Sequence, residues 1–174
     1  VALGLGVLFS LVAFDQPGRQ DTELLEVSVI IREADSTGWS AARQGMEQAA
    51  ADLGAELRFL TLSQSNSAEE QRSLLAREVE GGADAVVLVP ADPAALADAV
   101  KAAASHAAVV TMESDMADSG AKACISVDNA ALGQALGLAA LNGVPEGGET
   151  VLVDSAPGSA GVSRRLTEAA RVLE

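Results

Sequence analysis

The sequence is poor in aromatic residues and in positive charge. Aromatic residues make up 2% of the 174 residues, with one Trp, three Phe and no Tyr. Lys and Arg number 11 against 25 Asp and Glu, which leaves a formal net charge of −14. So few cations cannot neutralise a phosphate backbone, which excludes a nucleic-acid partner and disfavours docking on anionic lipid. The acidity instead indicates a soluble, self-repelling surface.

Cysteine and histidine occur once each, as Cys124 and His106. A single Cys excludes an internal disulfide and any multi-Cys metal site. Cys124 lies in the apolar run CISV, where a small buried hydrophobe is the typical role. No second His or paired carboxylate lies near His106 in the sequence, so we expect it at the surface or at a helix end. These absences predict no metal site and no cofactor.

Residues 1–14, VALGLGVLFSLVAF, form an uncharged apolar run. The run is short for a membrane span and typical of a signal-peptide core. We expect it to export the rest of the chain, as a cleaved signal or as a membrane anchor, and a buried N-terminal strand or helix is the alternative. Residues 15–26 are polar with a Pro-Gly turn, which indicates a linker.

From Val27 onward, apolar runs alternate with amphipathic segments. Strands are predicted at 27–31, 57–62, 85–90, 108–112, within 123–129 and at 150–154. Helices are predicted at 39–53, 67–80, 92–106, 130–141 and 163–174. Ser67 and Asp92 are the expected N-caps of two helices, and Gly54 is the expected C-cap of the first. The alternation predicts an α/β fold, a doubly wound parallel sheet with helices on both faces.

In such a sheet the ligand site lies outside the carboxyl ends of the strands. No dinucleotide or phosphate-binding Gly-rich loop follows the first strand, and no nucleophile elbow or Cys-His pairing is present, so we expect no catalytic residues. The edge instead carries hydroxyls, carboxylates and the one indole. A carboxylate can accept from two adjacent hydroxyls while an indole face covers the C–H side of a ring, which suits a neutral polyol such as a sugar.

Four segments, in this order and spacing, resemble the type I periplasmic sugar-binding proteins, the ribose/galactose-binding and repressor-effector-domain superfamily. They are VSVIIREADSTGWSAARQGMEQAAADLG, NSAEEQRSLLAREVEGGADAVVLVPADPAAL, VVTMES and ISVDNAALGQALG. The resemblance runs from about Val27 to the end of the chain. It implies a first ligand-binding lobe over 27–127, then a hinge and an incomplete second lobe over 128–174, so that the chain is expected to be truncated at both ends.

The resemblance also implies roles for particular positions. The ligand-binding positions are Ser36, Trp39, Glu113, Ser114 and Arg164, and the hinge positions are Asp128 and Asn129. Two departures from the family pattern open this side of the pocket: Gly38 stands where ribose binders have another aromatic, and Ser114 replaces the usual Arg.

Each of these positions also has a plainer interpretation. Trp39 could pack under the first helix, and Glu113 could be a solvated loop charge. Arg164 could pair with Glu168 one turn later, and Asp128 could cap a helix whatever its other role.

The leading hypothesis is an exported, monomeric substrate-binding protein of an ABC importer. It would close two lobes on a sugar or similar polyol, present that ligand to the permease outside the cytoplasm, and contact the membrane only through its N-terminal segment. The alternatives are the extracellular sensor domain of a membrane receptor or kinase, and the effector-binding domain of a repressor. The latter needs a helix-turn-helix ahead of Val27, where an apolar run and a linker stand instead.

Overall fold

The computed structural model describes residues 24–116, 118–154 and 159–174. The predicted export segment, residues 1–14, and most of the predicted linker lie outside these residues. None of the helices within the described ranges has the length and apolar character needed to span a bilayer.

Five parallel strands form one sheet. They are β1 (Leu25–Ile30), β2 (Ala55–Leu60), β3 (Ala85–Leu88), β4 (Ala108–Met112) and β5 (Ala123–Ile125). Their order across the sheet is β2-β1-β3-β4-β5, and every neighbouring pair is parallel. Near the centre of the sheet, Val29 of β1 is paired with Phe59 of β2 on one side and with Val87 of β3 on the other. The parallel α/β sheet that the sequence predicts is therefore confirmed.

Five helices accompany the strands in the described residues. They are α1 (Ser40–Leu53), preceded by a 3-10 turn over Thr37–Trp39, then α2 (Ala68–Glu80), α3 (Pro93–Ala103), α4 (Asn129–Gly143) and α5 (Ala160–Leu173). The predicted caps are in place: the Ser67 side chain accepts from the Glu70 N–H, and Asp92 accepts from two N–H groups of α3. Gly54 ends α1 with a φ of 67°, a left-handed conformation that favours glycine.

The core lies on both faces of the sheet. On one face Met46 of α1 packs over Val29 and Val87. On the other face α2 and α3 bring Leu75 and Leu96 against the alternate strand residues, such as Ile30, Val86 and Leu88. Burying each large aliphatic side chain contributes about 1.5–3 kcal/mol, so these two layers supply most of the stability of the described lobe.

A polar contact is buried within the second of these layers. Ser28 of β1 and Glu78 of α2 are 2% and 3% exposed, and the Ser28 hydroxyl donates to Glu78 Oε2 at 2.9 Å. Arg58 Nη1 of β2 donates to the same oxygen at 2.9 Å, and Arg77 Nη2 lies 3.0 Å from Oε1. A buried carboxylate needs such partners, and these tie α2 to the edge of the sheet.

This contact predicts that acid weakens the fold through Glu78. Burial by itself raises the pKa of Glu78, but hydrogen bonds from Ser28, Arg58 and Arg77 outweigh it and hold the pKa below the ordinary 4.5. A lowered folded-state pKa stabilises the fold above the unfolded value, and that stabilisation is lost as pH falls through 4.5 and then through the folded pKa.

Urea unfolding between about pH 6 and about pH 3 measures this effect. We expect the unfolding midpoint of the wild type to fall more steeply with acid than that of Glu78→Gln. Glu69→Gln, an exposed change in the first turn of the same helix, is the control and should follow the wild type. Parallel pH profiles for the wild type and Glu78→Gln would contradict the assignment.

The strand predicted over residues 150–154 is wrong. These residues have no regular secondary structure, and Val151 and Val153 are 77% and 75% exposed. A parallel strand needs a neighbour to pair its N–H and C=O groups, and the strands of the described residues all belong to the five-stranded sheet ending at β5. An apolar pattern alone therefore did not create a strand here.

Candidate functional site

A cavity of about 450 Å³ opens at the carboxyl ends of β3, β4 and β5. The turn before α1 and the N-terminal parts of α4 and α5 line its other sides, and the volume lies within the range typical of small-molecule sites. The lining is mainly apolar, with a few polar groups among it: Trp39, Met46, Val87, Met112, Glu113, Ile125, Ser126, Val127, Asn129, Leu132, Ser159, Gly161, Val162 and Arg165. This is the edge at which the sequence places the ligand.

Two roles were predicted for Trp39, contact with a ligand and packing under the first helix. Its half-buried ring packs against the α1 side of the core and also lines the cavity. Its backbone N–H donates to the Ser36 carbonyl at 2.9 Å, which closes the 3-10 turn. Its indole Nε1 donates to Glu33 Oε2 at 3.0 Å. The ring is thus held at the cavity by its backbone, by packing and by a hydrogen bond.

Glu113 lies on a tight turn directly after β4. Its φ is 65°, unusual for a residue with a side chain, and the Ser114 N–H donates to the Met112 carbonyl across it at 2.8 Å. Such a conformation costs about 1–3 kcal/mol, and strained residues of this kind cluster at functional sites. The Glu113 carboxylate lines the cavity, and Arg32 Nη1 lies 2.6 Å from its Oε2.

On the opposite side of the cavity, hydrogen bonds between side chains link α4 to α5. Arg165 donates from Nε and Nη2 to Asn129 Oδ1, at 3.2 and 2.8 Å. Asn129 Nδ2 in turn donates to Ser126 Oγ at 3.1 Å. A neutral amide oxygen therefore orients the Arg165 guanidinium at the cavity without neutralising its charge.

Glycine allows α5 to approach this site closely. A Cβ on Gly161 would lie 2.7 Å from the Glu113 carbonyl oxygen and 2.8 Å from Asn129 Nδ2. Real side chains essentially never come so close, so a larger residue here would push the start of α5 away from β4.

Three of the predicted ligand-binding residues do not line the cavity. Ser36 is half-buried in the turn before Trp39. Ser114 is fully buried, and its Oγ lies 3.0 Å from Ser159 Oγ, so that it supports the N-cap of α5. Arg164 is 63% exposed, and its Nη2 lies 3.4 Å from Glu168 Oε1, the i,i+4 pair that was its plainer interpretation.

The two predicted hinge residues lie at the start of α4. Asp128 Oδ1 accepts from the Ala131 N–H at 2.9 Å and caps the helix, while Asn129 faces the cavity. The hinge role itself stays a prediction.

Sequence reasoning missed the apolar lining and Arg165. The signal for the lining residues was available, since Met112 and Ile125 end their strands at the predicted edge. The choice between Arg164 and Arg165 depends on helical phase, because adjacent residues point about 100° apart around a helix of 3.6 residues per turn. The face of α5 that docks on α4 sets that phase, and with it Arg165 lines the cavity.

The lone cysteine and histidine lie away from this chemistry. Burial raises the pKa of the Cys124 thiol, which disfavours the reactive thiolate. His106 is exposed beyond the end of α3, as predicted. Among the residues with described positions, no three His, Cys, Asp or Glu side chains gather as a metal site would require.

Comparison with solved structures shows the same fold in binding proteins. A solute-binding protein of an ABC transporter from Burkholderia graminis C4D1M, in complex with D-arabinose, has a TM-score of 0.80 at 19% identity, covering 89% of this chain and 53% of that one. A carbohydrate transporter solute-binding protein from Agrobacterium radiobacter, also with D-arabinose, has a TM-score of 0.76 at 22% identity, covering 88% and 54%. The Caulobacter myo-inositol binding protein, bound to myo-inositol, has a TM-score of 0.73 at 26% identity, covering 90% and 53%.

The chain therefore spans about half the length of these structures. No curated protein matches it by sequence. The model of the periplasmic binding protein domain family matches residues 27–174, which is most of the chain. This chain belongs to the periplasmic binding protein domain family.

Proposed function

We propose that this chain forms the first lobe and the hinge side of an exported protein that binds a sugar or similar polyol and delivers it to an ABC permease. The observation that carries the proposal is the cavity at the carboxyl ends of the strands, which Trp39, Glu113 and Arg165 line together. The protein would act as a monomer outside the cytoplasm, attached to the membrane at most through residues 1–14.

The chemistry of the lining supports a polyol. An indole face covers the C–H side of a ring, a carboxylate accepts from ring hydroxyls, and a guanidinium donates to them. Related structures are described with D-arabinose, with myo-inositol and with glycerol, and these three molecules share vicinal hydroxyls. In this proposal the arginine of the second lobe that meets the ligand is Arg165, next to the predicted Arg164.

A thermal-shift screen tests the proposal directly. Pentoses, hexoses and inositols are added one at a time, and a ligand that binds the folded state should raise the melting temperature in step with the logarithm of its concentration. We expect at least one polyol to do so. A melting temperature that no polyol moves at millimolar concentration would contradict polyol binding.

Trp39→Ala should weaken binding of the polyol found in that screen by about 1–3 kcal/mol, the scale expected when an aromatic side chain is removed from a binding pocket. The ring also packs on the core, so some loss of melting temperature is expected as well. Calorimetry measures the affinity, and Trp39→Phe, which keeps a flat ring, is the matched variant and should retain most of it. Unchanged affinity in Trp39→Ala with a large fall in melting temperature would show that the indole serves the core alone.

A further inference from the structure

A chain of four polar side chains runs behind the cavity, from the end of β1 to the end of β4. Trp39 Nε1 donates to Glu33 Oε2 at 3.0 Å, and Glu33 Oε1 lies 3.3 Å from Arg32 Nε. Arg32 Nη1 then lies 2.6 Å from Glu113 Oε2. The two ends of this chain, Trp39 and Glu113, line the cavity, whereas Arg32 and Glu33 do not.

Arg32 is the least exposed of the three charged side chains. Its side chain is 12% exposed, against 31% for Glu33 and 43% for Glu113. Its Nη1 is shielded from solvent, and no acceptor in the described part of the chain is aligned with that N–H, although the Glu113 carboxylate is adjacent. The attraction between Arg32 and Glu113 is therefore electrostatic, and burial strengthens it relative to a surface pair.

The guanidinium is suited to this position because it can serve two carboxylates at once. Its planar charge extends over Nε and Nη1, so one side chain lies against Glu33 and Glu113 in different directions. A lysine ammonium is a point charge and could hold only one of the two carboxylates in the same way.

We propose that Arg32 is a positioning residue that sets both the indole of Trp39 and the carboxylate of Glu113 for the ligand while touching no ligand itself. The inference rests on the proposed function, since it concerns the same cavity. Its structural part, that Arg32 determines the surroundings of the indole, can be measured without any ligand, because Trp39 is the single Trp of the chain.

Intrinsic fluorescence of the ligand-free protein is the first measurement. In Arg32→Gln we expect the Trp39 emission to shift to the red and acrylamide quenching to increase, because Glu33 loses its anchor. Arg32→Lys should give an intermediate result. Arg43→Gln is the matched control: it removes the same charge from α1, where Arg43 Nε pairs with Glu47 at 2.7 Å on the surface, and should leave the emission unchanged.

Calorimetry is the second measurement, with D-arabinose and myo-inositol as the probes. Arg32→Gln should raise Kd about tenfold, the scale of removing one oriented polar interaction, and Arg43→Gln should not change it. Far-UV circular dichroism checks that each variant is folded. Should Arg32→Gln fail to fold, Glu33→Gln replaces it, since it keeps the shape of the side chain while removing the charge that faces Arg32.

Unchanged emission and quenching in the folded variant would overturn the positioning role, whatever the ligand result. A changed emission with unchanged Kd would also overturn it, because Arg32 would then serve the turn and not the binding site. If neither probe binds the wild type, the proposed function fails for these polyols, and the emission of the variants still decides whether Arg32 holds the indole.

Discussion

Replacing Gly133 by Val should separate α5 from α4 while the parallel sheet stays folded. A Cβ at Gly133 would collide with the carbonyl of Arg165 and lie 2.9 Å from Glu168 Cβ. One turn later a Cβ at Gly137 would lie 2.7 Å from Val172 Cβ, so the two helices meet along a glycine face. Overpacking at such a contact costs about 1–3 kcal/mol, and a clash with backbone cannot be relieved by changing a rotamer.

Hydrogen exchange of the α5 amides measures this separation. We expect residues 160–173 to lose protection in Gly133→Val, while β1, β3 and β4 keep theirs. Gly143→Ala is the control, because a Cβ there meets nothing within 4 Å, and it should leave α5 protected. Since α5 carries Arg165, the Val variant should also bind polyols more weakly. Equal protection of α5 in both variants would show that the glycine contact does not hold the helix.

Under the proposed function, a chain extended to the length of its structural relatives should bind the polyol found in the thermal-shift screen at least about a hundredfold more tightly than residues 1–174, a difference of about 2.7 kcal/mol. The present chain spans about half the length of those structures. Apolar side chains stand exposed beyond the cavity, with Leu136 at 48%, Leu138 at 55% and Val151 at 77%. The part of the chain that carries these side chains has nothing packed against its outer face within the described residues, so it is less preorganised. Ordering it upon binding reduces the affinity for the ligand.

Calorimetry on both lengths with the same polyol decides this prediction. The amides of α4 and α5 should also be more strongly protected from hydrogen exchange in the extended chain. Such protection would show that α4 and α5 are more rigid, and not only that the added residues contact the ligand. Equal affinity would mean that the described cavity holds the ligand by itself, and a mechanism in which two lobes close on the ligand would have to be abandoned.

Most of the lobe could be predicted from the sequence, because its elements are specified locally. The helix caps at Ser67, Asp92 and Gly54 act within one turn of chain, and the apolar runs of β1, β3 and β4 need burial on both faces. Parallel pairing then places every strand end at one edge, so the location of the cavity followed from the alternation alone. The family resemblance then indicated which residues at that edge were expected to bind the ligand.

Which side chains face the cavity was decided by packing between distant segments. The sequence cannot show that Ser114 meets Ser159, because 45 residues separate them and the contact exists only once α5 docks. Arg165 rather than Arg164 reaches the cavity because the docked face of α5 fixes its rotation. Residues 150–154 have the composition of a strand but no partner strand within the described ranges, and backbone groups pair only where a neighbour is present. Arg32 reaches the distant carboxylate of Glu113 because β1 and β4 end at the same edge of the sheet, separated by β3, an order that the sequence does not display.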